Sequence, residues 1–220
     1  KNNNLPQPGS KIVVAMSGGV DSSVTAALLK NAGYEVIGVT MKLHSSKISN
    51  KTKTCCSGLD IADSRNVSKK LGIKHYIINL EERFKNSVIK DFVNSYKKGE
   101  TPIPCIRCNQ TVKFVDLINF AESLKCKFLA TGHYIKRKMV NGIPHLYKAA
   151  DLKKDQSYFL FATTLDQLKY LRFPLGDLNK NETRDLANKY GLNVADKPDS
   201  QDICFVPEGR YSDLVRKLKP

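Results

Sequence analysis

The sequence predicts an α/β fold, in which a doubly wound, mostly parallel sheet is flanked by helices and followed by a smaller, mostly helical C-terminal extension. Short apolar runs alternate with segments of helical apolar spacing. This alternation is typical of parallel sheets whose two faces are covered by helices. The 220 residues, of which 41% are hydrophobic and 26% charged, suffice for one large domain with an appendage.

Four apolar runs are the predicted strands of this sheet, at residues 11–16, 35–41, 74–79 and 127–131. Apolar spacing and terminating glycines predict the helices, at residues 24–32, 58–71, 80–97, 109–125, 157–171 and 181–190. A polar tract over residues 44–54 is expected to be a loop. Residues 135–149 are expected to form a hairpin that turns at Asn141 and Gly142.

A glycine-rich loop, Ser17-Gly18-Gly19-Val20-Asp21-Ser22-Ser23, separates the first predicted strand from the first predicted helix. Two glycines let the backbone approach a ligand, and the N–H groups of a helix N-terminus attract an anion. Serine hydroxyls can donate to phosphate oxygens, whereas the Asp21 carboxylate repels a phosphate unless Mg²⁺ bridges them. The loop therefore predicts a phosphate site, with a glycine-rich turn and a capping serine as the structural alternative.

The composition restricts the partners and the compartment. A net charge of +15 favours a polyanion such as a nucleic acid, although a solvated lysine-rich surface gives the same count. No apolar run reaches about 18 residues, and the first ten residues lack the apolar core of a signal peptide. We therefore expect a cytoplasmic protein with no membrane partner. Its six cysteines are then fillers, metal ligands or reactive thiols rather than a disulfide scaffold.

Ser17-Gly18-Gly19-Val20-Asp21-Ser22 resembles the pyrophosphatase loop, or PP-loop, of enzymes that split ATP into AMP and pyrophosphate. Four further segments, in chain order, narrow the resemblance: TPIPCIRCN at residues 101–109, ATGHY at 130–134, KDQSYFL at 154–160 and DICF at 202–205. Together they resemble the tRNA-specific 2-thiouridylase family over residues 11–217. Members of that family are longer and carry further C-terminal domains, so the chain resembles their N-terminal part.

The resemblance implies a PP-loop ATPase domain of the adenine nucleotide alpha hydrolase type over residues 11–150. Residues 1–10 are expected to be a tail. Residues 151–220 would continue the domain with a tRNA-contact segment and a second catalytic cysteine. The implied reaction is ATP-dependent 2-thiolation of the wobble uridine of tRNA, through an adenylated uridine and a cysteine persulfide. The implied enzyme is a tRNA-uridine 2-sulfurtransferase that uses ATP and Mg²⁺ and takes sulfur from a carrier protein.

The site residues follow from the same resemblance. Cys204 would carry the persulfide, and Cys108 would be the partner nucleophile that helps release sulfur and then forms a disulfide with Cys204. ATP would bind to the loop, a strand-end methionine and a glycine: Ala15, Met16, Ser17, Gly18, Gly19, Val20, Asp21, Ser22, Ser23, Met41 and Gly132. The tRNA would contact Ile103, Pro104, Cys105, His133, Lys154, Asp155 and Gln156.

Cys105 departs from the family pattern, which has an aspartate at this position that is thought to contact the target base. Two roles stay open. Cys105 and Cys108 have the Cys-x-x-Cys spacing of a redox pair. Alternatively, Cys105, Cys108 and Cys204 would hold an iron–sulfur cluster with an open position for hydrosulfide. We favour the persulfide route over the cluster. Cys55 and Cys56 are expected to be structural or incidental, and Cys126 is expected to lie in the core.

Two other functions are compatible with parts of the sequence. An amide-forming synthetase with the same loop would use ammonia and would need no paired thiols, so the charge and the cysteines argue against it. A non-catalytic RNA-binding or metal-binding module could have kept the fold without making AMP.

Overall fold

A parallel sheet lies at the centre of the residues that the computed structural model describes, which are 5–44, 58–199, 203–206 and 211–218. Within these residues five strands pair in the order β3-β2-β1-β4-β7, all of them parallel, and β5 pairs with β6 as a separate antiparallel hairpin. The strands are β1 (Lys11–Ala15), β2 (Glu35–Lys42), β3 (Lys74–Asn79), β4 (Leu129–Ala130), β5 (Lys136–Val140), β6 (Ile143–Tyr147) and β7 (Leu171–Arg172).

Helices connect and cover the strands. They are α1 (Val20–Asn31), α2 (Gly58–Leu71), α3 (Glu81–Phe84), α4 (Lys90–Lys97), α5 (Pro104–Cys108), α6 (Phe114–Ser123), α7 (Leu165–Tyr170), α8 (Lys180–Lys189) and α9 (Tyr211–Leu218). Single π-helical turns at Lys85–Ile89 and Asn109–Lys113 join α3 to α4 and α5 to α6, and a 3₁₀ turn covers Ser157–Phe159.

The sheet separates two hydrophobic cores, because successive side chains of a strand point to opposite faces. On β1, Ile12 and Val14 join a core with α1 and α8. Val13, between them, joins the other core with α4, α6 and α7. Helices therefore cover both faces, which confirms the predicted doubly wound class.

The strand order places the topological switch beside β1. The chain proceeds from β1 to β2 and β3 on one side and continues with β4 and β7 on the other. In open α/β sheets the crevice at such a switch, beyond the carboxyl ends of the strands, binds ligands. The loops after β1 and β4 meet there, and they contain Ser17–Ser23 and Gly132 respectively.

Most predicted elements are present, and the differences have local causes. The helix expected to begin at residue 24 begins at Val20, because Gly19 is its N-cap. The helix expected over residues 157–171 is wrong: Thr164 starts a new helix with a capping box, and Leu171 leaves it to pair with β4. Strand β7 and helix α9 were not predicted. The expected loop at residues 44–54, apart from His44, lies outside the described residues.

The hairpin follows the sequence closely. Asn141 and Gly142 have φ values of 50° and 79°, which a two-residue type I′ turn requires. The described helices include none that is long and apolar enough to cross a membrane. The division of the chain at residue 150 stays a prediction, although β7 places part of the C-terminal segment in the central sheet.

Candidate active site

The loop after β1 leads into α1 with its backbone N–H groups uncapped by any described side chain. Gly19, the N-cap residue, is extended, with φ −91° and ψ 168°. The first N–H groups of a helix have no partner within the helix, and they carry the positive end of its dipole. This end of α1 lies beside the end of β4, and its use as a phosphate site stays a prediction.

The loop serines have different surroundings. Ser17 is exposed, whereas Ser22 and Ser23 are buried. The hydroxyl of Ser23 donates to the carbonyl oxygen of Gly19 at 2.8 Å, and the hydroxyl of Ser22 donates to the same oxygen at 3.2 Å while accepting the N–H of Ser17 at 3.1 Å. In this structure Ser22 and Ser23 therefore fix the shape of the loop, and the hydroxyl of the exposed Ser17 lies 3.3 Å from that of Ser22.

Two glycines are required by close backbone contacts. Gly18 has a φ of 78°, and a Cβ atom there would lie 2.3 Å from the carbonyl oxygen of Asp60 in α2. A Cβ atom on Gly132 would lie 2.8 Å from the carbonyl carbon of Asp21 and from the nitrogen of Ser22. Both neighbours are backbone, which cannot move aside as a flexible side chain does. Gly132 is thus needed to pack the end of β4 against the first turn of α1.

Asp21, the carboxylate of the loop, is bound by a lysine from α8. The Nζ of Lys180 lies 2.7 Å and 2.9 Å from the two carboxylate oxygens, and the hydroxyl of Tyr134 donates to Asp21 at 2.9 Å. Burial, and then the Asp21 charge, raises the pKa of Tyr134, so its hydroxyl stays a proton donor. The protein therefore offsets the charge of Asp21 itself.

The same lysine continues into a larger ion-pair network. Lys180 Nζ also lies 2.7 Å from Asp199, which binds Lys154 at 2.8 Å and Arg184 at 3.5 Å. Burial alone would raise the pKa of Asp199, but hydrogen bonds from Lys154 and Lys180 outweigh it, and the net pKa lies below its ordinary value. Asp199 is therefore ionised at neutral pH.

A second lysine fixes the glycine turn. Lys197 Nζ donates to the carbonyl oxygen of Gly18 at 3.0 Å and binds Asp60 at 2.7 Å and Asp63 at 2.6 Å. Burial lowers the pKa of Lys197, but the hydrogen bonds that it donates to the two carboxylates prevail and raise the net pKa above the ordinary value. Helix α8 and the chain that follows it thus contact the loop at two points, α8 through Lys180 and the following chain through Lys197.

The apolar residues predicted to line the ATP site are largely buried. Met16 is buried between strand and helix, where Ser68 donates to its sulfur at 3.4 Å. Met41, near the end of β2, belongs to the core with α4, α6 and α7, whereas Val20, at the start of α1, belongs to the core with α1 and α8. Ala15 is half-buried. Their contact with an adenine stays a prediction.

The fold brings the two motif cysteines to one hydrophobic cluster. Cys108, at the end of α5, is buried among the residues of this core, which include Phe84, Phe92 and Phe205. Cys204 is half-buried and packs against the same core. The hydrophobic core that contains Cys108 therefore also contacts Cys204, and the role of the two cysteines in sulfur transfer stays a prediction.

Cys105 is half-buried in the same helix, and the residues before it differ in exposure. Ile103 is 55% exposed, whereas Pro104 is buried at the start of α5. The described residues contain no group of three His, Cys, Asp or Glu side chains that could hold a metal ion. Cys105, Cys108 and Cys204 are all described, so this arrangement does not fit the iron–sulfur alternative. Cys126 lies in the core as expected, and Cys55 and Cys56 lie outside the described residues.

The predicted tRNA-contact residues are partly engaged within the protein. Gln156 accepts the backbone N–H of Tyr134 at 2.9 Å, and Asp155 accepts the N–H of Ala149 at 2.8 Å. Lys154 is bound to Asp199, and the hydrogen bond to that carboxylate raises its pKa. In this structure Asp155 and Gln156 shape the segment, while Lys154 keeps a partly exposed cation.

His133 lies between two aromatic rings at the end of β4. Its ring centroid is 6.3 Å from that of Phe114 and 6.4 Å from that of Phe173, and Thr131 bonds its Nδ1 at 2.8 Å. Burial, and then the charge of Lys113, holds the pKa of His133 well below its ordinary value. His133 is therefore neutral at physiological pH, and it can contact RNA only as a neutral ring.

Sequence reasoning missed Lys180, Lys197 and Tyr134. Each reaches the loop across a long stretch of chain, and a lysine in a chain with 36 lysines and arginines carries no local signal. Tyr134 lies inside a recognised motif, but only the fold shows that its hydroxyl reaches Asp21.

Comparisons with known proteins place this chain in a family. The model of a family described as tRNA methyl transferase HUP domain matches residues 10–208. Proteins named tRNA-specific 2-thiouridylase MnmA are 57% identical over 213 residues in Bradyrhizobium sp. (strain BTAi1) and 59% identical over 211 residues in Orientia tsutsugamushi (strain Boryong). The alignments cover 96% and 95% of this chain but 54% and 57% of those relatives. The chain thus spans about half the length of the curated relatives it matches.

Solved structures share the fold at low identity. A 4-thiouridine synthetase in complex with RNA and ATP is similar with a TM-score of 0.58 at 16% identity, over 95% of this chain and 51% of that chain. NMN synthetase from Francisella tularensis is similar with a TM-score of 0.54 at 17% identity, over 96% of this chain and 77% of that chain. At such identities the likeness shows the fold alone.

Proposed function

Because this chain belongs to the tRNA-specific 2-thiouridylase family, we propose that it forms the ATP-binding, sulfur-transferring part of an enzyme that 2-thiolates the wobble uridine of tRNA. One observation carries the proposal. Cys108 and Cys204 lie at one hydrophobic cluster, and Asp199, shortly before Cys204 in the chain, is ion-paired through Lys180 to the loop that would bind ATP. The same chain would therefore carry both a phosphate site and the two thiols of Cys108 and Cys204.

The end of α1 would hold the phosphates of ATP, with Mg²⁺ between them and Asp21. Its uncapped N–H groups and the exposed hydroxyl of Ser17 are donors suited to phosphate oxygens. The adenine would lie toward Met41 and Gly132, at the carboxyl ends of β2 and β4. A structural neighbour that binds ATP and RNA has the same fold, which supports the assignment.

The first chemical step would activate the base. The O2 of uridine attacks the α-phosphorus, the bond to the bridging oxygen breaks, and pyrophosphate leaves with the bonding electrons while N3 of the base loses its proton. The carbonyl oxygen, otherwise a very poor leaving group, becomes part of an AMP leaving group. Donors fixed at the helix end would stabilise the charge that develops on the phosphates without reorganising.

The second step would transfer sulfur. The terminal sulfur of a Cys204 persulfide attacks C2, and AMP leaves. The Cys108 thiolate then attacks Sγ of Cys204, which breaks the bond to the transferred sulfur, releases 2-thiouridine and forms a Cys108–Cys204 disulfide. A two-electron thiol reductant would restore both thiols, and a sulfur-carrier protein would reload Cys204. Burial of Cys108 at the cluster would shield these steps from competing thiols.

The tRNA would bind across the charged face around this site. Ile103, Cys105 and Lys154 keep partly exposed surface at the proposed entrance. Specific RNA readers usually take single-stranded loop bases, and the wobble uridine would turn out of its stack to reach the crevice. We further propose that residues 11–150 form the nucleotide-binding part, that residues 151–220 add the tRNA-contact segment and Cys204, and that the reaction occurs in the cytoplasm.

The test is to measure labelled AMP and thiolated tRNA formed from ATP·Mg²⁺, a sulfur donor and an unmodified transcript with wobble uridine. The matched substrate is the same transcript with cytidine at the wobble position. We expect AMP only with uridine, and we expect Cys204→Ser to lose the thiolated product. The assay is run with this chain and with a chain extended to the full length of its relatives.

Each other outcome identifies a different function. AMP formed without regard to the wobble base, and unaffected by Cys204→Ser, would contradict the proposal in favour of an amide-forming synthetase. RNA binding without AMP in the extended chain would contradict it in favour of a non-catalytic module.

A further inference from the structure

Two exposed aromatic side chains lie on the turn that follows the predicted tRNA-contact segment. Tyr158 is 58% exposed and Phe161 is 74% exposed. The turn begins as the 3₁₀ helix Ser157–Phe159, and the N–H of Leu160 continues it by donating to Ser157 at 3.1 Å. Residues three apart in such a turn lie on the same side. The two exposed rings therefore share one side, whereas Leu160 is buried in the core.

Hydrogen bonds attach this turn to both parts of the proposed site. On one side, the amide of Asn109, the residue that follows α5, donates to the carbonyl oxygen of Phe159 at 3.4 Å. On the other side, Gln156 and Tyr134 exchange two hydrogen bonds of 2.9 Å, and the hydroxyl of Tyr134 donates to Asp21. The turn therefore bridges the helix that ends in the predicted nucleophile and the predicted nucleotide loop.

Exposed cations lie in the same segments as the rings. Arg107 in α5 and Lys153 are exposed, and the side chain of Lys154 is 39% exposed although it is ion-paired. The carboxylate of Asp155, by contrast, accepts two hydrogen bonds within the protein. Cations attract phosphates, and exposed aromatic faces stack on unpaired bases. This combination fits single-stranded RNA better than an apolar protein surface, which would match the rings alone.

Contacts within the protein fix the position of the rings. The ring centroid of Tyr158 lies 4.1 Å from that of Phe159, with 38° between the planes. Leu160, at 1% exposure, anchors the turn between Tyr158 and Phe161. A surface that is ordered before binding loses little side-chain entropy when a ligand arrives.

We propose that Tyr158 and Phe161 form a stacking platform for unpaired RNA bases next to the wobble uridine. The inference rests on the proposed function, because it takes tRNA as the substrate. Every base has an aromatic face, so such a platform binds a loop without selecting its sequence. It holds the anticodon loop at the crevice and leaves the choice of uridine to the residues inside.

The test uses fluorescence, because the chain contains no tryptophan and Phe161→Trp introduces a single fluorophore into the platform. The probe is an anticodon stem–loop transcript, and its control is a blunt RNA duplex with the same number of phosphates. We expect the stem–loop to quench the tryptophan and the duplex to bind without quenching, since its bases are paired and stacked. Loops with uridine or cytidine at the wobble position should quench equally, because stacking tolerates any base.

Further substitutions separate stacking from general apolar contact. Phe161→Ala and Tyr158→Ala are each expected to weaken binding of the stem–loop at least about fivefold, the lower range for loss of one base–aromatic stack. Phe161→Tyr keeps the aromatic face and the wild-type affinity, whereas Phe161→Leu keeps apolar surface without that face and binds more weakly. Tyr76→Leu is the matched control, because Tyr76 is 40% exposed on the edge strand β3, and it should leave the affinity unchanged.

The inference is overturned if the duplex quenches as strongly as the stem–loop, if both alanine variants keep the wild-type affinity, or if Tyr76→Leu loses as much. Wild-type affinity in Phe161→Leu, with a loss in Phe161→Ala, would overturn it in favour of an apolar contact of the kind that a protein partner makes. Quenching by the loop in a chain that never thiolates tRNA would contradict the proposed function alone. Active thiolation without quenching would contradict this inference alone.

Discussion

Among single residues, Gly132 leaves no space for a side chain, because its missing Cβ lets β4 reach the first turn of α1. In Gly132→Ala the new Cβ would meet the backbone of Asp21 and Ser22 at 2.8 Å. We expect a loss of about 1–3 kcal/mol in the free energy of unfolding, the usual cost of overpacking, together with weaker nucleotide binding. Urea unfolding and calorimetry with an ATP analogue measure the two effects.

Gly58→Ala is the control for this substitution, because a Cβ there meets nothing within 4 Å. It is expected to leave stability unchanged or slightly higher, since alanine restricts the unfolded chain. Equal losses in both variants would contradict a specific contact at Gly132.

Ionisation of Asp199 makes the free energy of unfolding depend on pH in the acid range. The folded pKa of Asp199 lies below the ordinary value of 3.8, so its ion pairs contribute fully above that value and are lost as the pH falls through the folded pKa. We expect Asp199→Asn to cost about 1 kcal/mol in the free energy of unfolding at pH 7, and the difference from the wild type to shrink as the pH falls below 3.8 through the folded pKa. Urea unfolding across this range measures it, and a constant difference would show that lost packing, not lost charge, is responsible.

Sequence reasoning identified the loop residues because their spacing is local, and it missed the residues that hold the loop. Ser17–Ser23 were recognisable as a strand–loop–helix signal. Lys180 lies in a polar run, Asn179-Lys180-Asn181, that also fits an exposed helix start. Its burial depends on a carboxylate from the far end of the chain, and no short-range pattern contains that information.

At the scale of elements, the capping box of α8 supports the nucleotide loop. Asn179 accepts the N–H of Glu182 at 2.9 Å and donates its own N–H to Glu182 at 2.7 Å. Asn179→Ala is expected to cost about 1 kcal/mol and to weaken binding of an ATP analogue, because α8 carries the lysine that holds Asp21.

Helix α7 offers the matched control, since Thr164 and Gln167 form the same kind of box. Thr164→Ala is expected to cost about the same free energy of unfolding as Asn179→Ala. It is expected to leave binding of the ATP analogue unchanged, because α7 packs on the opposite face of the sheet. Binding that weakens equally in both variants would mean that general stability, not the position of α8, governs the site.

Elements were predictable where one periodicity dominates. The expected bounds of residues 58–71 and 74–79 coincide with α2 and β3. Strand β7 was missed because two residues, Leu171 and Arg172, cannot show a period. They become a strand only by pairing with β4, and tertiary context therefore decides this element.

At the scale of the whole molecule, residues late in the sequence complete the sheet and hold the nucleotide loop, which is built from residues early in the sequence. Strand β7 forms the edge of the sheet beside β4, and α8 packs on α1. The loop that carries the family signature is thus held by residues from the other end of the sequence. Removing the segment after residue 150 would take away strand β7 and Lys180, the ion-pair partner of Asp21, together.

The charge of the whole chain leads to the last prediction. With a net charge of +15, binding of tRNA by this chain is expected to be mainly electrostatic, because lysines and arginines release counterions from phosphates. The affinity should fall at least about tenfold between roughly 50 and 200 mM salt, as measured by fluorescence anisotropy.

The wobble base is the control for this prediction. Transcripts with uridine and cytidine at that position should bind with nearly equal affinity, since phosphate contacts carry no sequence information, and should differ only in AMP formation. An affinity that resists salt, or that already separates the two transcripts, would mean that this half of the relatives' length reads the base by direct contacts. Recognition would then precede adenylation, and the exposed residues near Ile103 and Lys154 would be the first positions to substitute.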